Sequence, residues 1–129
     1  MKIAAIAAGG MIGAVLRFWI GILLYQPHAQ FPFPTLVINL IGSFILGWFV
    51  VHGSQLVKNN TLVLGIQTGF LGSFTTFSTF NAEIVLLLDQ GLYSIAIQYF
   101  LISAAMGIGL VLLGMKSGSA LLRKEGAEQ

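Results

Sequence analysis

The sequence predicts an all-α membrane protein of four transmembrane helices, the third of them broken, and three observations carry that prediction. Ten of the 129 residues are charged, 8% against roughly 25% in soluble domains, while 57% are hydrophobic and the mean hydropathy is +0.92. A globule so composed could not keep its surface wetted, which excludes a soluble enzyme. The apolar residues gather in four stretches, and since a crossing takes about 20 helical residues the chain has room for four or at most five. The third stretch is too long for one helix and almost free of Leu and Ile at its centre. The chain therefore reads as one transmembrane domain, 1–129, with a net charge of +2 held mainly at its ends, a distribution that suits lipid contact and not nucleic acid. With no cysteine, disulfides, thiolate metal sites and a Cys nucleophile are excluded.

The first span covers 3–24, from Ile3 to Leu24, with Arg17 as its one charge. A cleaved signal peptide would need a small-residue cleavage site and a soluble domain after it, and neither follows. All three prolines, Pro27, Pro32 and Pro34, fall in the next few residues, where a missing N–H and a fixed φ end one helix and start another. The second span, 34–51, is closed by His52-Gly53-Ser54-Gln55, with Lys58-Asn59-Asn60 completing the connection. The third, 61–88, has 28 residues, about 42 Å as a single helix, so it must tilt or break. Asp89-Gln90-Gly91 makes a tight turn into the fourth span, 93–115, and 116–129 is a charged tail. Four crossings put Lys2, Lys58, Lys116, Arg123 and Lys124 on one side, against Arg17 toward the other. That bias of five to one predicts cytoplasmic termini.

Positions four apart share a helix face, so the first span presents Ala5, Gly9, Gly13, Arg17 and Gly21 as one stripe. For the glycines this reads as close helix packing. For Arg17, a guanidinium costing on the order of 3 kcal/mol in hydrocarbon, two readings stand: a structural anchor, or a mouth attracting anions. The second span repeats the spacing with Thr35, Asn39, Ser43 and Gly47. The Asn39 amide must face protein or water, as an interhelical clasp or as part of a pathway. The centre of the third span reads Gly69-Phe70-Leu71-Gly72-Ser73-Phe74-Thr75-Thr76-Phe77-Ser78-Thr79-Phe80-Asn81. Gly and Thr are weak helix formers and the hydroxyls can satisfy freed backbone groups, so the overlong span breaks most easily here. Non-helical backbone at membrane depth is tolerated only inside protein or against a polar cavity. Freed carbonyls there can hold a cation, and the N-terminus of the second half-helix offers N–H groups. Phenyl rims are electropositive, so ring edges aimed at one point attract an anion; the same rings also serve as ordinary packing. Glu83 follows the break, in a structural or interfacial role or in proton or cation coupling, and Tyr99, Ser103 and Gly107 extend a hydroxyl-bearing face through the fourth span. His28 and His52 fall in predicted loops and form no ligand set. No nucleophile and base, phosphate loop or carboxylate dyad is present, so the chain is not read as an enzyme; neutral donors with aromatic edges suit the passage of a small dehydrated anion.

Three segments together, Gly9-Gly10-Met11-Ile12-Gly13-Ala14-Val15-Leu16-Arg17, Pro34-Thr35-Leu36-Val37-Ile38-Asn39-Leu40-Ile41-Gly42-Ser43-Phe44 and Gly69 to Phe80, resemble the small fluoride channels called Fluc or CrcB, and the likeness covers all four spans. The resemblance implies an antiparallel, dual-topology dimer of four-helix subunits in the bacterial plasma (inner) membrane. It implies two fluoride pores and a structural Na⁺ at the dimer interface, held by backbone carbonyls of Gly72 and Thr75. It also implies Phe77 and Phe80 as the aromatic pair whose edges face fluoride, Asn39 as the amide beside them, and Ser78, Thr79, Tyr99 and Ser103 as polar lining. The implied function is passive export of cytoplasmic fluoride down its electrochemical gradient, giving fluoride resistance. Gly107 and Val111 stand where further hydroxyls are expected. The charge bias also sits badly with a chain inserting both ways; a homodimer is expected, with pairing to an oppositely oriented homologue as the alternative. A proton-coupled exporter of the small multidrug-resistance type, and a non-transporting assembly subunit, are the competing readings. The first wants a carboxylate in the first span, which has none, and the second leaves the Thr/Phe cluster unexplained.

Overall fold

The computed structural model describes residues 1–127; Glu128 and Gln129, the end of the expected tail, lie outside the described residues. Four helices are long and apolar enough to cross a membrane. Helix α1 is Lys2–Leu23. Helix α2 is Phe33–Leu56, started by Pro32 and Pro34 in its first turn and widened to a π-helical turn over Phe49–Gly53. The third span is two helices: α3, residues 60–74, and α4, Phe77–Asp89. Helix α5 is Tyr93–Ala127.

Local chemistry sets these boundaries. Asn59 caps α3, its Oδ1 accepting from the Thr61 and Leu62 amides at 2.9 and 3.4 Å. The Asp89-Gln90-Gly91 turn ends α4 with paired backbone bonds: Leu92 N donates to Leu87 O at 2.8 Å and Gly91 N to Leu88 O at 3.0 Å. That arrangement needs a residue at positive φ, and Gly91 supplies it at 75°. Beyond Met115 the charged tail continues α5 to Ala127, so α5 has 35 residues, about 52 Å against a hydrocarbon core of about 30 Å.

Glycine lets the helices touch backbone to backbone. A Cβ at Gly9 would collide with the carbonyl of Gly65, one at Gly13 with that of Phe70, and one at Gly69 with that of Ile6, so α1 lies directly on the π-helical stretch Gly65–Leu71 within α3. The same device joins α2 to α5, where Gly47 faces the Val111 carbonyl and Gly114 that of Phe44. Dispersion and Cα–H···O contacts across such seams replace the hydrophobic drive that lipid does not provide. A small core of Leu36, Leu87, Ala96 and Tyr99, with Phe80 and Ile84 against it, knits α2, α4 and α5 around the site.

Candidate functional site

The third span breaks at Thr75–Thr76, both in extended conformation. Two neighbours hold the break open. Asn39 on α2 reads the Thr76 peptide from both sides: its Nδ2 donates to Thr76 O at 3.1 Å and its Oδ1 accepts from Thr76 N at 2.8 Å. Thr76 Oγ1 then caps α4, accepting from Thr79 N at 3.1 Å, and donates to Thr79 Oγ1 at 2.8 Å. These bonds have a further effect. In a continuous helix Thr76 N would serve Gly72 O and Thr79 N would serve Thr75 O; here both donors are spent elsewhere. The Gly72 and Thr75 carbonyls are therefore left without a backbone donor among the described residues, in a form able to ligate a hard cation. Among the described residues no group of three His, Cys, Asp or Glu could hold a metal, so the oxygens on offer are neutral ones, suited to a monovalent ion.

One face of α2 feeds the whole site. Thr35 donates to Glu83 Oε1 at 2.7 Å, Asn39 clasps Thr76, Ser43 lines a cavity, and Gly47 admits α5. The cavity, about 410 Å³, is lined by Asn39, Ser43, Thr75, Phe77, Phe80 and Ser103 with apolar neighbours. Phe77 and Phe80 stack with centroids 6.2 Å apart. Phe80 is wedged against Tyr99, 5.0 Å between ring centres, whereas Phe77 is 77% exposed and forms an outer edge. Two donors there are unspent among the described residues: the second N–H of Asn39, and the buried Ser103 hydroxyl, which finds no hydrogen-bond partner among them. A second cavity, about 370 Å³, contains Arg17, Gly21, Tyr25, Thr35, Thr76 and Thr79 among its lining. Thr76 borders both cavities, so the clasped peptide is the partition between them.

The residues singled out from sequence thus divide. Asn39, Phe77, Phe80, Ser103 and Thr75 meet in the first cavity; Arg17 and Thr79 meet in the second; Ser78 is exposed beside Thr76, 3.4 Å between hydroxyls. Tyr99 reaches neither. It is completely buried, with its hydroxyl donating to Glu83 Oε2 at 2.8 Å, so Glu83 is pinned between Thr35 and Tyr99 and both residues brace α4. At the level of Val111 the fourth span packs its backbone on α2, with the Val111 carbonyl against Gly47. Thr35 and Thr76 carry more specific roles than the sequence assigned them: Thr35, on the polar face one turn before Asn39, anchors Glu83, and Thr76, one of the hydroxyls at the break, is both the residue Asn39 clasps and the cap of α4.

Fold and site together define a multi-pass helical membrane protein with an uncharged, donor-lined interruption in one span, the architecture of an ion pathway. Comparison with known proteins agrees. Residues 4–115 match the family described as CrcB-like protein, Camphor Resistance (CrcB). The chain is 42% identical over 118 residues to the fluoride-specific ion channel FluC of Oceanobacillus iheyensis, covering 89% of each chain. Against fluoride-specific ion channel FluC 1 of Bacillus cereus it is 37% identical over 121 residues, 92% of this chain and 88% of the relative. Against FluC of Shewanella frigidimarina it is 40% identical over 118 residues, 89% and 94%. The chain belongs to the CrcB family.

Proposed function

We propose that this chain is a fluoride-selective channel that lets cytoplasmic fluoride leave down its electrochemical gradient across the bacterial inner membrane, and so confers fluoride resistance. The observation that carries the reading is the cavity beside the break. It offers two unspent donors, Asn39 Nδ2 and Ser103 Oγ, against the rings of Phe77 and Phe80, and no fixed charge. Fluoride is the smallest halide and the strongest hydrogen-bond acceptor among them, so closely placed neutral donors can replace its water where chloride fits poorly. Arg17, partly exposed in the neighbouring cavity with no ion pair among the described residues, draws anions toward Thr76 without trapping them in the narrow part.

The working unit in this reading is an antiparallel pair of chains. Its support is the exposure of Phe77, of Ser78 and of Gly72 at the middle of a membrane span, a surface that needs protein against it. A Na⁺ at the pair's centre would be held by the Gly72 and Thr75 carbonyls, two from each copy, and would fix the two breaks relative to each other. The five-to-one cation bias leaves a homodimer and a pairing with an inverted homologue as the two forms of this unit. Proton coupling has little to work with: both oxygens of Glu83 accept hydrogen bonds, and the first span has no acid.

Fluoride efflux from vesicles containing the purified protein, followed with an ion-selective electrode, tests the function. Rapid, pH-gradient-independent, chloride-excluding efflux is expected; vesicles that hold fluoride as tightly as empty ones would overturn it. Mass measurement of the detergent-solubilised protein decides the pairing, and exchange of Na⁺ for a large organic cation during purification should lower flux if a bound Na⁺ holds the pair in register.

A further inference from the structure

Two polar side chains on the open face of the third span have no role in the pathway. Thr68, in the π-helical stretch of α3, is exposed, and its hydroxyl has no hydrogen-bond partner among the described residues. Asn81, in the second turn of α4, is exposed too. Its Nδ2 gives one N–H to Phe77 O at 2.9 Å, which leaves a second N–H and the carbonyl oxygen unused among the described residues. A hydroxyl and a carboxamide at this depth are not left facing hydrocarbon; they find protein partners.

Their depths match in one way only. The break divides the span into residues 60–74 and Phe77–Asp89, two arms of nearly equal length, so Thr75 lies close to the bilayer midplane. Thr68 is seven residues before Thr75 and Asn81 six after it, about 10 Å and 9 Å away on opposite sides. In an inverted copy these depths exchange. Thr68 of one chain then lies level with Asn81 of the other, and the free hydroxyl meets the free carboxamide edge. Asn81 is also one turn from the exposed Phe77, so the chain that covers Asn81 covers the open edge of the aromatic pair as well.

We infer that Thr68 of each chain hydrogen-bonds Asn81 of a second, inverted chain, two such contacts per pair, and that they fix the register in which each copy closes the other's cavity. This rests on the antiparallel pairing proposed above. The chain lacks cysteine, so the contact can be trapped directly. A disulfide requires Cα atoms within about 7 Å. Oxidation of the double variant Thr68→Cys/Asn81→Cys in membranes should give a covalent dimer at least about fivefold more abundant than either single variant gives. Thr68→Cys and Asn81→Cys chains co-expressed with different tags should cross-link to each other, and these mixed pairs keep one contact intact, which protects assembly. Absence of cross-linking in a protein that still runs as a dimer and still carries fluoride would overturn the contact and leave the channel reading standing. Self-cross-linking of either single variant as efficient as the mixed pair would overturn both the contact and the antiparallel pairing, because positions this far from the midplane share a depth with their own counterparts only in parallel chains.

Discussion

Replacing Asn39 with Leu, similar in size and shape, removes only its hydrogen bonds, and two backbone groups are then stranded. The Thr76 N–H and C=O, held at 2.8 and 3.1 Å by the Asn39 amide, lose their partners near the middle of the membrane. Leaving such a group unmet costs about 1–3 kcal/mol, so the pair costs about 2–6 kcal/mol. The chain has two responses. It can keep the break and bear that cost, or it can return Thr76 N to Gly72 O, closing the helix and withdrawing the carbonyls that the break exposes. Either way the partition between the two cavities is lost in its present form. If the conducting state bears even ~2 kcal/mol, fluoride efflux falls by about 30-fold, and the detergent-solubilised protein melts several degrees lower. The assay is electrode-monitored efflux from vesicles at matched protein density, with thermal unfolding alongside. Efflux within about threefold of the unsubstituted chain, with an unchanged melting temperature, would refute the assignment of Asn39 as the clasp on the break.

Three other substitutions separate packing from passage. Phe80→Ile keeps an apolar side chain against Tyr99 and Phe77 but removes the ring rim, so throughput should fall by about tenfold or more while the size-exclusion profile stays that of the unsubstituted protein. Ser103→Ala deletes a buried hydroxyl that has no partner among the described residues, so it should leave thermal stability unchanged or slightly raised while fluoride efflux drops; loss of stability with normal efflux would contradict its place on the path. Tyr99→Phe removes one of the two donors to Glu83 and should lower stability by about 1–3 kcal/mol, the range for leaving a buried hydrogen-bonding group unmet, measured by denaturant unfolding in micelles.

The broken span was legible because two independent signals fell on one place. A stretch of 28 residues overshoots the bilayer, and its longest run without strong helix formers is Gly72 to Asn81. Asn39 was legible as a residue needing a partner, and the structure shows the interhelical clasp: its amide holds Thr76 from both sides, and the residue also lines the first cavity. Tyr99 was less legible. Its hydroxyl belongs to Glu83, 16 residues away, and Glu83 in turn answers to Thr35, 48 residues away; helical spacing places Tyr99 on the right face without saying which neighbour claims it. The π-helical widening at Phe49–Gly53 and Gly65–Leu71 could not be read at all, because the side-chain pattern of one extra residue per turn is lost in an apolar run. The length of α5 was missed because a polar composition marks the end of a membrane span, and Ser117 to Lys124 stop the span without stopping the helix.

The clasp on Thr76 also makes the break depend on a neighbour. Asn39 comes from a different crossing than the residue it secures, so the third crossing by itself carries no partner for the Thr76 N–H and C=O, and in lipid both would stand unmet. The interruption is therefore a joint property of two neighbouring crossings, and a substitution in the second reshapes the third.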